Sequence, residues 1–253
     1  MTPLDLKLSL PTSVELPCSD DTPVDNEEQN FLPNFLLFLL STIWRDRMDW
    51  YFGVDMGVYH TAGGNPRVPV VPDVFLSVGV ERSKRGKSRK SYVMWEEDYI
   101  APLFVLEMVS WTPGNEYSKK MEIYRTLGVL YYLIYNPEFW QRDSHTPFEL
   151  YKLVNGQYEL QLGEPFWMPE VGLGIGRHHR SFGPVSQEML YWFDSQSIRY
   201  LATDEQVASA QEQVIVAEQR VADAEQRAME AEGRSQLLEA KLKELGIDPS
   251  QLS

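Results

Sequence analysis

Asp73, Glu107 and Lys120 are the candidates for chemistry in this sequence. Asp73 follows Pro72 at the start of a predicted strand, and Glu107 sits inside Leu103 to Val109, the most hydrophobic strand-like run of the chain. A carboxylate within such a strand is costly to bury unless it is paired or coordinates a cation. The same residue near a strand end, solvated or paired with an arginine, would need no function. Lys120 tips the balance between these readings. On an ideal helix with about 100° per residue, Tyr117, Met121, Tyr124 and Gly128 share a face; Lys120 lies roughly 70° from its centre and Lys119 about 170° away. Lys120 is therefore directed toward the sheet and Lys119 toward water. A lysine snorkelling at a helix edge has the same spacing, but an acid on one strand, an acid on the next and a lysine aimed at both is the more economical reading.

The elements that must position these residues follow from periodicity. Leu32, Phe35, Leu36, Leu39 and Ile43 recur at helical spacing, with Asp25 the expected N-cap and Glu27 and Glu28 in the first turn. Trp50–Val54 and Met56–His60 read as a strand pair, and Val70–Val80 as a further strand. The basic run from Glu81 to Lys90 is the expected hairpin tip, returning through Ser91 to Trp95. Leu103–Val109 suits a central strand buried on both faces. A helix over Glu116–Leu127, stopped at Gly128, leads to a second buried strand, Val129–Tyr135. This strand–helix–strand unit implies a parallel pair with a right-handed crossover. Phe148–Leu162 is a hairpin around Asn155-Gly156. The histidine pair His178 and His179, between Arg177 and Arg180, is expected in an exposed turn. The fold class is α/β, with a loose arm over 1–24, a globular domain over 25–200 and a helical tail over 201–253.

Bulk properties narrow the function classes. The chain has 253 residues, enough for one sizeable core and an appendage. Its single cysteine, Cys18, excludes an internal disulfide framework and a thiolate zinc cluster, which points to a reducing compartment. No signal-peptide pattern opens the chain, and the longest apolar stretch, Phe31–Trp44, is shorter than the roughly 20 residues that span a bilayer. A cytoplasmic protein without membrane partners is expected. The formal charge of −14 counts against simple tight nucleic-acid binding. It is uneven, however: six of the ten residues from Glu81 to Lys90 are basic.

The pattern Pro72-Asp73, LEMVS at Leu106–Ser110, TPGNEYSKKMEIY at Thr112–Tyr124, GVLYYLIYNP at Gly128–Pro137 and MPEVGLGIG at Met168–Gly176 resembles the bacterial Uma family of restriction-endonuclease-like proteins. That family belongs to the PD-(D/E)xK nuclease superfamily, and the resemblance runs from about Leu16 to Tyr200. It implies a restriction-endonuclease-like αβββαβ core with a mixed sheet. It also implies that Asp73 and Glu107 are metal-binding carboxylates, that the Met108 carbonyl adds a ligand, and that Glu27 on the first helix is a further acid. The superfamily's usual lysine, two residues after the second acid, is here Val109; Lys120 would supply the ammonium instead. Oxygen-only ligands select Mg²⁺ or Mn²⁺. The implied reaction is hydrolysis of DNA phosphodiesters, with Arg82, Lys84, Arg85 and Lys87 neutralising phosphates. A merely solvated basic loop is the other reading of that run.

The tail repeats every seven residues. Val207, Val214, Val221, Ala228, Ser235 and Leu242 occupy a positions, and Ala210, Ala217, Ala224, Ala231, Leu238 and Leu245 occupy d. Gly233 weakens this helix, and Gly246 followed by Pro249 ends it. A coiled coil is expected, and a single solvated helix is the alternative. Eleven acids against five bases give the tail −6, which would repel parallel copies, so the globular domain is expected to share in holding a homodimer. The sequence thus reads as a metal-dependent DNA endonuclease, assembled as a dimer. The competing reading is a catalytically silent nuclease-fold module that uses its tail for partners.

Overall fold

The computed structural model describes residues 10–17 and 26–245, apart from Gly64, Arg85 and Pro113. The chain divides into two units, Met1–Tyr200 and Leu201–Ser253.

In the first unit, helix α1 (Glu27–Ile43) is capped by Asn26, whose side chain accepts from the Gln29 N–H at 2.9 Å. Asp25, the expected cap, lies outside the described residues. The apolar stripe of α1 buries Leu32, Leu36, Leu39 and Leu40. Strands β1 (Trp50–Val54), β3 (Val74–Val78), β5 (Phe104–Met108), β6 (Tyr131–Tyr135), β7 (Phe148–Val154) and β8 (Gln157–Leu160) form one six-stranded sheet in that spatial order. Only β5 and β6 are parallel; the other neighbours are antiparallel. Helix α2 (Met121–Leu127) is the crossover between them, continued backward by a π-helical turn over Glu116–Lys120. Taken in chain order, α1, β1, β3, β5, α2 and β6 make the αβββαβ core with a mixed sheet. Gly128 ends the crossover helix at φ 79°, and its N–H bonds back to Arg125 and Tyr124 carbonyls. A short helix, α3 (Trp140–Asp143), leads into the β7–β8 hairpin, whose Asn155-Gly156 turn has both φ angles positive.

Three expectations are corrected here. Trp50–Val54 and Met56–His60 do not pair with each other. Asp55, at φ 45°, turns the chain out of the sheet. β1 then lies at the sheet edge beside β3, while β2 (Val58–Tyr59) runs parallel to β4 (Tyr92–Val93) in a separate two-stranded sheet. The basic run is therefore no hairpin tip on β3, because the second neighbour of β3 is β5. His178 and His179 do not lie in a turn either. They sit within β10 (Leu173–Phe182), which pairs along its length with β11 (Val185–Phe193) and at its start with β9 (Phe166–Met168). Gly174 and Gly176 allow this close layering: a Cβ at Gly176 would come within 2.9 Å of the Pro165 backbone.

Period-2 alternation on β5 splits the core into two layers. Phe104, Leu106 and Met108 face α1 and the three-stranded sheet, with Leu32, Leu36, Tyr191 and Trp192. Val105 and Val109 face the other layer, with Phe75, Tyr124, Tyr132 and Ile134. Glu107 lies between those two valines on the second face.

The second unit is helix α4 (Thr203–Glu244), opened by Glu205, whose carboxylate accepts the Ala202 N–H at 2.8 Å. None of its residues is buried. Gly246 and Pro249 lie outside the described residues. Among the described residues, no helix is long and apolar enough to cross a membrane.

Candidate functional site

The sheet register brings the two acids together. Val74 on β3 stands opposite Leu106 on β5. One step outward along that antiparallel register, Asp73 faces Glu107, and directly opposed residues project on the same side of a sheet. Glu107 is only 1% exposed, the fourth of the five residues of β5, all of which are buried. Its two oxygens are held from the crossover helix: Lys120 Nζ donates to Oε2 at 2.7 Å and the Tyr124 hydroxyl donates to Oε1 at 2.5 Å. Lys120 and Tyr124 are four residues apart, so they share a helix face. Lys119 is exposed. Lys120 Nζ also donates to the Val71 carbonyl at 3.3 Å, so it bridges β5 and the segment that carries Asp73. Asp73 is half-buried; its Oδ2 accepts the Met108 N–H at 2.6 Å, which ties it to the strand residue after Glu107.

The electrostatics match a site that is short of positive charge. Burial pushes Glu107 up to about 8, against the pull of Lys120, and the neighbouring Asp73 charge raises it further. Burial likewise pushes Asp73 up to about 6; the Met108 N–H and Lys120 lower it, and Asp55 and Glu116 add repulsion. Burial works against the Lys120 ammonium, but Glu107 outweighs it and holds the lysine above its ordinary range. Carboxyls kept from ionising by burial and mutual repulsion are groups that a hard cation would ionise.

The oxygen donors fit such a cation. Asp73 Oδ1 has no hydrogen-bond partner among the described residues, and each Glu107 oxygen keeps a second lone pair beyond the bond it accepts. The Met108 carbonyl, on the residue after Glu107, accepts from Gln29 Nε2 at 3.3 Å. Among the described residues, no three His, Cys, Asp or Glu side chains cluster as a ready-made ligand set. Two carboxylates would therefore need a backbone carbonyl and water to complete a shell. Glu27 is not brought into this group. It is exposed at the first position of α1, and the helix residue that reaches the site is Gln29.

Three participants carry no mark in the sequence. Tyr124 reads there as a core residue. Gln29 reaches Met108 only through the tertiary packing of α1. Glu116 is buried at the start of the π-helical turn, where both of its carboxylate oxygens accept the Gly114 N–H at 2.8 and 2.9 Å. That bond fixes the loop leading to Lys120.

The basic run is partly consumed by structure. Lys84 Nζ donates to the Glu96 carbonyl at 2.7 Å and to Glu97 at 3.0 Å, and Arg82 stacks over Trp50 at 4.1 Å. Lys87 is exposed and lines an open cavity of about 800 Å³ together with Lys84, Arg89 and Lys90. Arg85 lies outside the described residues.

Residues 21–177 match the family described as "Uma2: Putative restriction endonuclease". Among solved structures, "a putative nuclease belonging to DUF820 from Anabaena variabilis ATCC 29413" is similar over 67% of this chain and 89% of its own, at 14% identity and a TM-score of 0.41. Comparison with curated proteins gives no match.

Proposed function

This chain belongs to the Uma2 family, and from that premise we propose that its first unit is a metal-dependent endonuclease that hydrolyses DNA phosphodiester bonds. The observation that carries the proposal is Glu107. It is a carboxylate buried in the central strand, opposite a second acid, and gripped by a lysine from the next helix. A stable core gains little from this arrangement, since a buried pair seldom exceeds a hydrophobic replacement in stability.

Asp73, Glu107 and the Met108 carbonyl are the donors that would hold Mg²⁺ or Mn²⁺. When bound, such a cation lowers the pKa of a water and neutralises charge on a phosphate. Lys120, already fixed between Glu107 and the Val71 carbonyl, would donate to the oxyanion that develops on the phosphate. Tyr124 holds the Glu107 carboxylate in one orientation while Lys120 does so. Val109 is apolar and buried, so the ammonium on this face has to come from the helix. Arg82, Lys84, Arg85 and Lys87 would meet the DNA backbone.

The test combines binding and cleavage. Asp73→Ala and Glu107→Gln are expected to lose Mg²⁺ and Mn²⁺ binding in calorimetry while keeping the native circular dichroism spectrum. Lys120→Ala is expected to abolish cleavage of plasmid DNA, and Lys119→Ala to leave it intact. Unchanged metal affinity in both acid variants would remove the site. A folded wild type that binds neither cation would favour a nuclease-fold module acting through partners.

A further inference from the structure

The heptad repeat of α4 places charge in a pattern that specifies a partner. With Val207 at a, the positions that flank the apolar seam are e and g. From Glu218 to Lys241 every e position is glutamate and every g position is arginine or lysine. These two sets do not serve each other within one helix. An e and the g of its own heptad lie about 200° apart around the axis, and a g and the following e about 140° apart, whereas helix neighbours are three or four residues apart. Among the described residues no ion pair joins them. The seam itself is uncovered in the single chain, with Val207, Val214, Val221 and Leu238 all more than half exposed.

We propose that α4 pairs with α4 of a second copy of this chain as a parallel, in-register, two-stranded coiled coil. In that arrangement each g residue meets the partner's e residue five positions further on. Arg220 then meets the partner's Glu225, Arg227 the partner's Glu232, and Arg234 the partner's Glu239, and two-fold symmetry repeats each contact. An antiparallel pair would set g against g and e against e, lining both flanks with like charges. Valine at three successive a positions is compatible with two strands, with alanine at the neighbouring d positions. From Glu212 to Glu244 the acids that have no g partner, Glu212, Asp223, Glu230 and Glu244, fall at c and f on the outer face, so they do not oppose this pairing across the seam. Ile215, Val216, Met229 and Leu237 lie at b and c, outside the seam. The inference does not depend on the nuclease reading, since it uses no residue of the first unit.

Disulfide trapping in the full chain tests it. In a Cys18→Ser background, Ala210→Cys at a d position is expected to form a covalent dimer on mild oxidation at micromolar concentration. Adding R220E, R227E and R234E should abolish that cross-link. Adding E225R, E232R and E239R to the same chain should restore it, which separates lost pairing from lost helix. Cross-linking that survives the three-residue reversal, or that the six-residue exchange does not restore, overturns the proposal. Preferential linking of Ala210→Cys chains to Leu242→Cys chains, the antiparallel match, overturns it equally.

Discussion

Glu107 and Asp73 hold protons that their unfolded counterparts would have released. Their ordinary values are 4.5 and 3.8, and burial raises them to about 8 and about 6. The folded, metal-free protein therefore binds more protons than the unfolded chain across this window. The stability contributed by these groups is complete below the unfolded values and is lost as pH rises through about 6 and then about 8. A divalent cation competes with those same protons. The rise in Tm on adding Mg²⁺ is accordingly expected to be larger at pH 8 than at pH 6, and scanning calorimetry at both pH values measures it. Equal shifts, or a larger one at pH 6, would detach the carboxyl pair from metal binding. Glu107 and Lys120 were legible in the sequence because a local rule exposes each: an acid in an apolar strand, and a lysine on the inner arc of a helical wheel. Tyr124 was not, since one tyrosine among thirteen carries no mark until the helix is docked on the sheet. Gln29 was hidden for the same reason, and the expected acid two residues before it points to water.

Elements follow local rules where a turn or cap is self-contained, and depart from them where pairing is long-range. The Asn155-Gly156 hairpin and the Gly128 helix stop are of the first kind. The pairings of β1 with β3, of β2 with β4 and of β10 with β11 are of the second, and no local pattern in Met56–His60 or Arg177–Arg180 selects those partners. The π-helical turn over Glu116–Lys120 also escapes a wheel drawn at constant pitch, yet Tyr124 and Lys120 keep a common face because the α-helix resumes between them. Glycine gives a check at this scale. Gly128→Ala places a Cβ on a residue at φ 79° and is expected to destabilise the first unit by about 1 kcal/mol. Gly233 has open space around its Cβ position and lies mid-helix, so Gly233→Ala is expected to stabilise α4 by about 1 kcal/mol. Urea unfolding followed by tryptophan fluorescence reports the first unit, because no tryptophan lies beyond Trp192. Ellipticity at 222 nm adds the tail. Opposite signs are required; a shared sign would mean that one of the two backbone assignments is wrong.

At the scale of the whole molecule, the charge of −14 and the polyanionic substrate proposed above pull in opposite directions. Salt screens the surface acids over a Debye length of about 8 Å at physiological ionic strength, so a local basic surface can act inside a repulsive whole. The sequence displays that surface as six basic residues in ten, but it does not show their partners. Glu97 holds Lys84, and it also accepts from Arg89 Nε at 2.9 Å, while Arg82 is laid over Trp50. Cations already paired release few counterions when they meet a phosphate. Each phosphate that is neutralised contributes about 0.9 to the slope of log affinity against log salt. Replacing Arg82, Lys84, Arg85 and Lys87 together is therefore expected to flatten that slope by about 1 to 2, short of the roughly 4 that four unpartnered cations would give. Lys87→Ala alone is expected to account for much of the change. Fluorescence anisotropy with a labelled duplex, titrated over a salt series in the presence of Ca²⁺ to hold off cleavage, provides the slopes. An unchanged slope in the fourfold variant would place the DNA surface elsewhere on the first unit, and a drop near 4 would mean that DNA displaces Glu97 from its lysine.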